Sequence, residues 1–399
     1  VTVYRVLIVE DHPFQSRLLA ALFESMGGFV VDVAWDGASA LQRLAAAPVD
    51  LLLTDLMMPH MDGIQLIQAL ARVPCPPALA LMSAASRRML TGAGQVAKNL
   101  GLNVVGLLPK PLGERNLVEL RESLDERAEQ ARAFRTRPTG CRAASTLARA
   151  LGNGEIQAWF QPKKALHDGG IVGAEALVRW VHPTEGLLMP RDFLGDIERA
   201  ELEVQLLTRM LAQTLTAQAQ WARIGHPLPV SINLPTHLLD HDGLIERLLA
   251  QVRLSQAEPR HITFELTETS TTQHSSNYYA GACRLRMMGF GLAQDDFGKG
   301  YSSYFNLVST PFTELKIDRS LIHGCADDTQ QASAVLSIVE LGRELNMVTV
   351  AEGVETCAEL DVLRRMQCDH VQGFIVSPAI TADEIVTLIS VERPRSVLL

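Results

Sequence analysis

Between residues 4 and 124, short apolar runs alternate with longer stretches whose apolar residues recur every three or four positions. The runs are YRVLIV (4–9), FVVDVA (29–34), DLLLTD (50–55), ALALMS (78–83) and NVVGLL (103–108). Several are apolar on both faces, as parallel strands covered by helices on either side must be. The intervening FQSRLLAALFESMG and GASALQRLAAA carry helical spacing. Five strands alternating with helices predict a doubly wound, five-stranded α/β domain. GERNLVELRESLDERAEQARAF (113–134) predicts a last helix running out of it. RTRPTGCRAAS, basic and punctuated by Pro138 and Gly140, reads as a linker.

From near residue 144 the alternation resumes over about twice the length, with one addition. Each apolar run now ends in an acid, an amide or a lysine. IVGAEALVRW holds Glu175, VSINL holds Asn233, and ITFELTE holds Glu265 and Glu268. GLAQDD ends in Asp295 and Asp296, TELKID in Lys316 and Asp318, VTVAEGVE in Glu352 and Glu355, and HVQGF carries Gln372. A (β/α)8 TIM-like barrel gathers its functional residues at the C-terminal ends of its strands in this way. Seven such ends in series exceed what chance supplies. The expected organisation is an α/β domain over residues 1–125, a helical and basic linker over 126–146, and a barrel over 147–392.

Composition narrows the field. The 399 residues carry a net charge of −9, with 47% apolar and 20% charged side chains, ordinary for a globular chain long enough for two cores. The acidic balance argues against a general grip on DNA or anionic lipid, while leaving room for a small anion held through metal ions. No apolar stretch approaches a membrane span, and VTVYRVLIVED reaches two acids too soon for a signal peptide. Cysteines 75, 141, 283, 325, 357 and 368 lie scattered without metal-ligand spacing, so reduced thiols and a cytoplasmic location are expected.

Candidate chemistry follows from the strand ends. In the first domain Glu10 and Asp11 close the first strand, Asp55 the third and Ser83 the fourth, and Lys110 follows the fifth. These ends converge on one edge of a doubly wound sheet. Three carboxylates there can hold Mg²⁺, with Asp55 the nucleophile toward a phosphoryl group and Ser83 and Lys110 binding its oxygens. In the second domain, Glu175, Asn233, Glu265 and Asp295 offer hard oxygen ligands for Mg²⁺ or Mn²⁺. Asp296 would help hold a second ion, and a pair of ions suits displacement at a phosphodiester. Lys316 would stabilise the attacking hydroxide or the phosphate, Glu352 would be the general base, and Arg179, on the Glu175 face of its strand, would grip phosphate. Taken singly, Lys316 would equally serve as an internal partner of Asp318 or Glu352. Taken together, too many acids converge on too few cations to be content without metal.

These motifs also carry a family resemblance. IVEDHP, TDLMMPHMDG, MSA and LPKP resemble the receiver domain of two-component response regulators. That resemblance implies phosphorylation of Asp55 by a cognate sensor histidine kinase. Glu175-Ala176-Leu177 with Arg179, then INLP, ELTE, DDFGKGYSS, LKID, AEGVE and VQGF, resemble the EAL domain, a family of phosphodiesterases that cleave cyclic di-GMP to linear pGpG. The pair together resembles response-regulator phosphodiesterases of the RocR and PvrR type. By this resemblance Gln161, Leu177, Arg179, Glu355 and Gln372 contact ligand or its bound water, Glu268 supports the loop after Asp296, and a dimer or tetramer is expected. The chain departs from the pattern at Leu107, where receivers often place an aromatic, and at Lys299, where the family has a small residue. Tyr304, VSPAI (376–380) and Pro235 are further departures. The competing readings are a barrel that binds the dinucleotide without cutting it and a receiver that merely docks a partner. A degenerate receptor would lack metal or base positions, and none is missing. No helix-turn-helix follows the receiver, and no GGDEF signature occurs.

Overall fold

The computed structural model describes residues 3–84, 87–135, 142–267, 275–299 and 304–392. The chain divides into two compact units, Val1–Gly140 and Cys141–Leu399.

In the first unit β1 (Tyr4–Val9), β2 (Phe29–Ala34), β3 (Leu51–Asp55), β4 (Ala78–Ser83) and β5 (Val104–Pro109) form one parallel sheet in the order β2-β1-β3-β4-β5. β3 and β4 are buried at every position. The alternation of strand side chains explains why both faces had to be apolar. Leu7, Val9, Leu52, Leu79 and Leu81 feed one core, while Val6, Ile8, Leu51, Leu53 and Met82 feed the other. Helices Pro13–Met26, Gly37–Ala46, Gly63–Leu70, Arg87–Asn99 and Glu114–Arg135 connect and cover the strands. Asp36 and Asp62 start two of these helices as reciprocal caps with Ser39 and Gln65. The chain passes from β1 to β2 on one side and then crosses back to β3 on the other, which opens a crevice at the strand ends.

The second unit is the expected barrel with one strand reversed. β6 (Ile156–Ala165), β7 (Ile171–His182), β9 (Val230–Asn233), β10 (Ile262–Thr267), β11 (Gly291–Phe297), β12 (Glu314–Ile317), β13 (Val348–Ala351) and β14 (His370–Val371) close into a ring, and β8 (Gly186–Leu188) pairs on the side of β7. Consecutive strands from β7 to β14 around the ring are parallel, but β6 is antiparallel to both β7 and β14. The reason is local. Only residues 166–170 separate β6 from β7, and Asp168 accepts from Gly170 N at 3.0 Å to close a tight turn. So short a link makes a hairpin, whereas a parallel partner needs a crossover. Outside the ring, helix Glu203–Arg223 buries Leu207, Met210, Leu211, Thr214, Gln218 and Trp221 at helical spacing. No helix among the described residues is long and apolar enough to cross a membrane.

Tyr4 fastens the first strand to the last helix of the first unit, its hydroxyl donating to Asp125 Oδ1 at 2.6 Å. Burial, reinforced by that carboxylate, raises the Tyr4 pKa from 10.0 to about 12. Folding therefore favours the protonated phenol. Its contribution is intact at neutral pH and is lost as pH rises from about 10 to about 12. Tyr4→Phe is expected to cost about 1 kcal/mol in urea unfolding at pH 8. It should also remove this group's share of the alkaline decline in stability.

Candidate active site

At the C-terminal edge of the first sheet, Glu10, Asp11 and Asp55 each place a carboxylate oxygen within 4.8 Å of the others. The ammonium of Lys110 donates to Asp55 Oδ2 at 2.5 Å, Glu10 Oε2 at 2.6 Å and Gln15 Oε1 at 2.7 Å. Burial works against that charge, but the bonds to Asp55 and Glu10 outweigh it and hold the lysine pKa above its ordinary value. Asp55 Oδ1 accepts from Met57 N at 3.0 Å, and Ser83 is fully buried beside Lys110, whose backbone N donates to Ser83 O. All five expected residues meet here. Gln15, in the first turn of the first helix, was not expected; nothing in its spacing marked it. Leu107 packs on the helix Arg87–Asn99, where a Cβ added to Gly94 would lie 2.9 Å from its Cδ2.

The barrel site is built around one lysine. Lys316, on β12, is 1% exposed, and its ammonium lies 2.6 Å from Glu265, 2.7 Å from Glu352, 2.9 Å from Asp295 and 3.4 Å from Glu175. These four carboxylates come from β10, β11, β7 and the residue directly after β13, so closure of the ring is what brings them together. Gln372 Nε2 donates to Glu175 Oε2 at 2.6 Å and to Gln161 Oε1 at 3.0 Å, and Asn233 Nδ2 donates to Glu175 Oε1 at 2.9 Å. Gln161 in turn donates to Ser377 O at 3.1 Å.

Deeper in the barrel is a second lysine that the sequence reading passed over. Lys163 Nζ donates to Ser231 Oγ at 2.7 Å and Glu314 Oε1 at 2.5 Å, and lies 3.4 Å from Glu265. It stands two residues after Gln161 on β6, so strand alternation from that glutamine would have found it. Opposite charges thus run in a line: Glu314, Lys163, Glu265, Lys316 and the mouth carboxylates.

Adjacent strand residues ordinarily point to opposite faces, yet Asp295 and Asp296 both reach the mouth. The backbone explains it. The register between β11 and β12 slips between Gln294 and Phe297, and Asp296 sits at φ 54°, so the bulge turns the second aspartate back into the site. Gly298 completes the turn at φ 97°, where a Cβ would lie 2.3 Å from Leu321 Cδ1. Asp295, Asp296 and Glu352 consequently offer oxygens within 4.8 Å of one another.

The charges shape one another. Burial opposes ionisation of Glu175, but Lys316 and the bond from Gln372 override it and hold its pKa at about 2. Burial and the Glu175 carboxylate push Glu265 well above the usual range. Glu352 is raised by burial, only partly offset by Lys316, to about 7. Lys316, despite burial, is held protonated by the carboxylates around it.

A cavity of about 800 Å³ opens over this set, lined by Gln161, Glu175, Leu177, Asn233, Asp295, Asp296, Glu352, Glu355 and Gln372 among others. Asp318, marked as a strand end, lines it too, as do Lys299, Arg319 and Phe374, which were not expected to. A smaller apolar cavity of about 450 Å³ adjoins it and shares Leu177, Leu194 and Asn233. Arg179 is not among the residues lining the larger cavity. It is buried and donates to Val178 O at 2.8 Å. Glu268 lies outside the described residues.

The residues fit divalent ions. Asp295 Oδ1 is buried and lies at ion-pair distance from Lys316 but out of line for a hydrogen bond, and buried Gln372 Oε1 has no donor among the described residues. The donor set is carboxylate and amide oxygen, with no thiolate or imidazole, which matches Mg²⁺ or Mn²⁺. Glu175, Asn233, Glu265 and Asp295, with Asp296 beside them, are the residues available to hold ions here, as Glu10, Asp11 and Asp55 are in the first unit.

A five-stranded receiver sheet with a buried aspartate, followed by an acid-mouthed barrel, defines a response regulator with an enzyme domain as its output. The chain belongs to the EAL domain family, whose model matches residues 144–379, and its residues 6–122 match the response regulator receiver domain. It is 32% identical to the cyclic di-GMP phosphodiesterase RocR of Pseudomonas aeruginosa over 93% of this chain and 94% of that protein. It is 35% identical to the bifunctional diguanylate cyclase/cyclic di-GMP phosphodiesterase MucR of the same organism, over 61% of this chain and 36% of MucR. Among solved structures, it resembles the MucR phosphodiesterase in complex with cyclic di-GMP at TM-score 0.56 and 36% identity, over 60% of this chain and 97% of that one. It also resembles an EAL domain protein of Listeria monocytogenes at TM-score 0.55 and 28% identity, over 63% and 98%.

Two expectations follow from the electrostatics. Lys316→Met leaves buried carboxylates without their cation and should destabilise the second unit by about 3 kcal/mol or more in metal-free buffer. Added Mg²⁺ should return part of that loss in thermal unfolding. With Glu352 at about 7, protons compete with an ion bound beside it below that pH. Calorimetric Mg²⁺ affinity should therefore rise by about tenfold from pH 6 to pH 8, and Glu352→Gln should flatten the dependence.

Proposed function

We propose that the chain hydrolyses one phosphodiester bond of cyclic di-GMP to give linear pGpG, using Mg²⁺ or Mn²⁺, under control of phosphorylation at Asp55. The observation that carries the reading is the convergence of Glu175, Glu265, Asp295 and Glu352 on Lys316 beneath a cavity of about 800 Å³ that Glu175, Asp295 and Glu352 line. Two ions, when bound, supply Lewis acidity at the phosphate and lower the pKa of the attacking water. Glu175, Asn233, Glu265 and Asp295 would hold the first and Asp296 would contribute to the second. Glu352, poised near neutrality, accepts the proton of the attacking water. Lys316, fixed as a cation, stabilises negative charge growing on the phosphoryl oxygens. Gln161, Leu177, Glu355 and Gln372 position the dinucleotide at the cavity wall, and Arg179 adds positive potential behind them.

In the receiver, the Asp55 carboxylate attacks the phosphorus of a donor supplied by a sensor histidine kinase. A new Asp–phosphoryl bond forms as the donor's leaving group departs. The ammonium of Lys110 and the hydroxyl of Ser83 receive the transferred oxygens, and Glu10, Asp11 and Asp55 would hold a Mg²⁺ that would neutralise further charge there. Phosphorylation converts the acceptor carboxylate that now pairs with Lys110 into a larger dianion, which supplies the differential interaction a switch needs.

Incubation of the full chain with cyclic di-GMP and Mn²⁺, followed by chromatography, should yield pGpG. Glu352→Gln should lower kcat by about a thousandfold while nucleotide binding persists. Asp55→Asn should abolish any response to a small phosphoryl donor. Tight binding without product in the unaltered chain, before and after phosphorylation, would replace the enzyme reading by the receptor one.

A further inference from the structure

The loop lysine at 299 is paired within the site. Its ammonium lies 2.9 Å from Asp296 Oδ2, and its backbone N donates to Asp296 O at 3.2 Å. The turn that produces this contact is dictated by Asp296 and Gly298, both at positive φ, which fold the chain back so that residue 299 stands over residue 296. Lys299 lines the same cavity as Asp295, Asp296, Asp318 and Glu352. Its side chain remains 59% exposed, while that of Asp296 is 29% exposed. The pair is thus rim-like: formed, but with open water on the lysine side into which the long side chain can swing.

Charge makes this contact consequential. Lys316, deep in the site, serves Glu175, Glu265, Asp295 and Glu352, and Asp296 lies outside its set of ion pairs. Asp296 is instead served by Lys299. A divalent ion held between Asp295, Asp296 and Glu352 would share the Asp296 carboxylate with Lys299 and would sit within a few ångströms of an ammonium. Like charges at such separations repel strongly even where water screens them. A small or hydroxyl side chain at 299 would impose no such competition.

We propose that Lys299 is a tethered counter-cation of the barrel site, occupying the flank of Asp296 that a second divalent ion requires, so that this ion binds only as Lys299 swings away. The inference rests on the phosphodiesterase reading above and adds to it a residue that sets the metal requirement. The lysine is a positioning residue, acting through Asp296. It makes the barrel a one-ion site at low divalent concentration and a two-ion site only above a threshold.

The test counts ions. Full-length chains carrying Asp11→Asn, which weakens the receiver's own ion site, are titrated with Mn²⁺ by electron paramagnetic resonance of the free ion and by calorimetry. Lys299, Lys299→Thr and Lys299→Arg versions are compared, with thermal melts confirming equal folding. The lysine form should bind one ion tightly and the second at least about tenfold more weakly than Lys299→Thr does. Lys299→Arg should keep the weak second site. Equal second-ion affinity in all three forms would overturn the proposal while leaving the enzyme reading untouched, as would an arginine form that behaves like threonine. Failure of every version to bind even one ion would overturn the metal-dependent reading itself, and the proposal with it.

Discussion

The barrel mouth depends on a single buried ammonium. Lys316 is almost wholly removed from water and is satisfied only because four carboxylates from different strands meet at it. Neither side of this arrangement stands alone. The lysine without the acids would be an isolated buried charge, and the acids without the lysine would repel one another at short range. A second lysine, Lys163, extends the pattern inward between Glu265 and Glu314, so the barrel axis is lined by alternating charges where many barrels place only branched apolar side chains. The consequence is a rigid, pre-paid field at the floor of the cavity. A ligand or ion arriving from solvent meets acids whose geometry is already set.

The second constraint is in the backbone. Two neighbouring aspartates serve one cavity only because β11 carries a bulge at its end and Asp296 accepts a left-handed conformation. That strained turn is followed at once by Gly298, packed against Leu321, and by Lys299. Strain of this sort persists where neighbouring packing holds it, and here it coincides with the proposed metal ligands. The bulge, the glycine and the lysine therefore act as one device. It aims a carboxylate and then supplies that carboxylate with a resident cation.

The receiver repeats the same physics at smaller scale. Lys110 bridges Asp55, Glu10 and Gln15 at the open edge of the sheet, so the proposed acceptor aspartate is already paired with a cation. Where an aromatic residue is common, Leu107 rests against Gly94 of the adjoining helix. Any relay of the state of Asp55 through that surface must work by aliphatic packing against a glycine.

Much of this was legible in the chain itself. Apolar runs apolar on both faces could only be covered parallel strands, and an acid, amide or lysine at the end of run after run could only make sense if a closed sheet collected them. Asp55, Glu175, Glu265, Asp295, Lys316 and Glu352 were marked out by that periodicity and by motif, because strand alternation and strand ends are local properties. The charge partners of Lys163, the withdrawal of Arg179 toward Val178 and the pairing of Lys299 with Asp296 were not legible. Each depends on distances between residues far apart in sequence or on a single backbone torsion. Neither leaves a periodic trace. The sequence by itself determined which side chains stand at the strand ends and in what order. Only ring closure and the bulge at Asp296 decided which of them share a cation, because burial and Coulomb energy are set by separation in space.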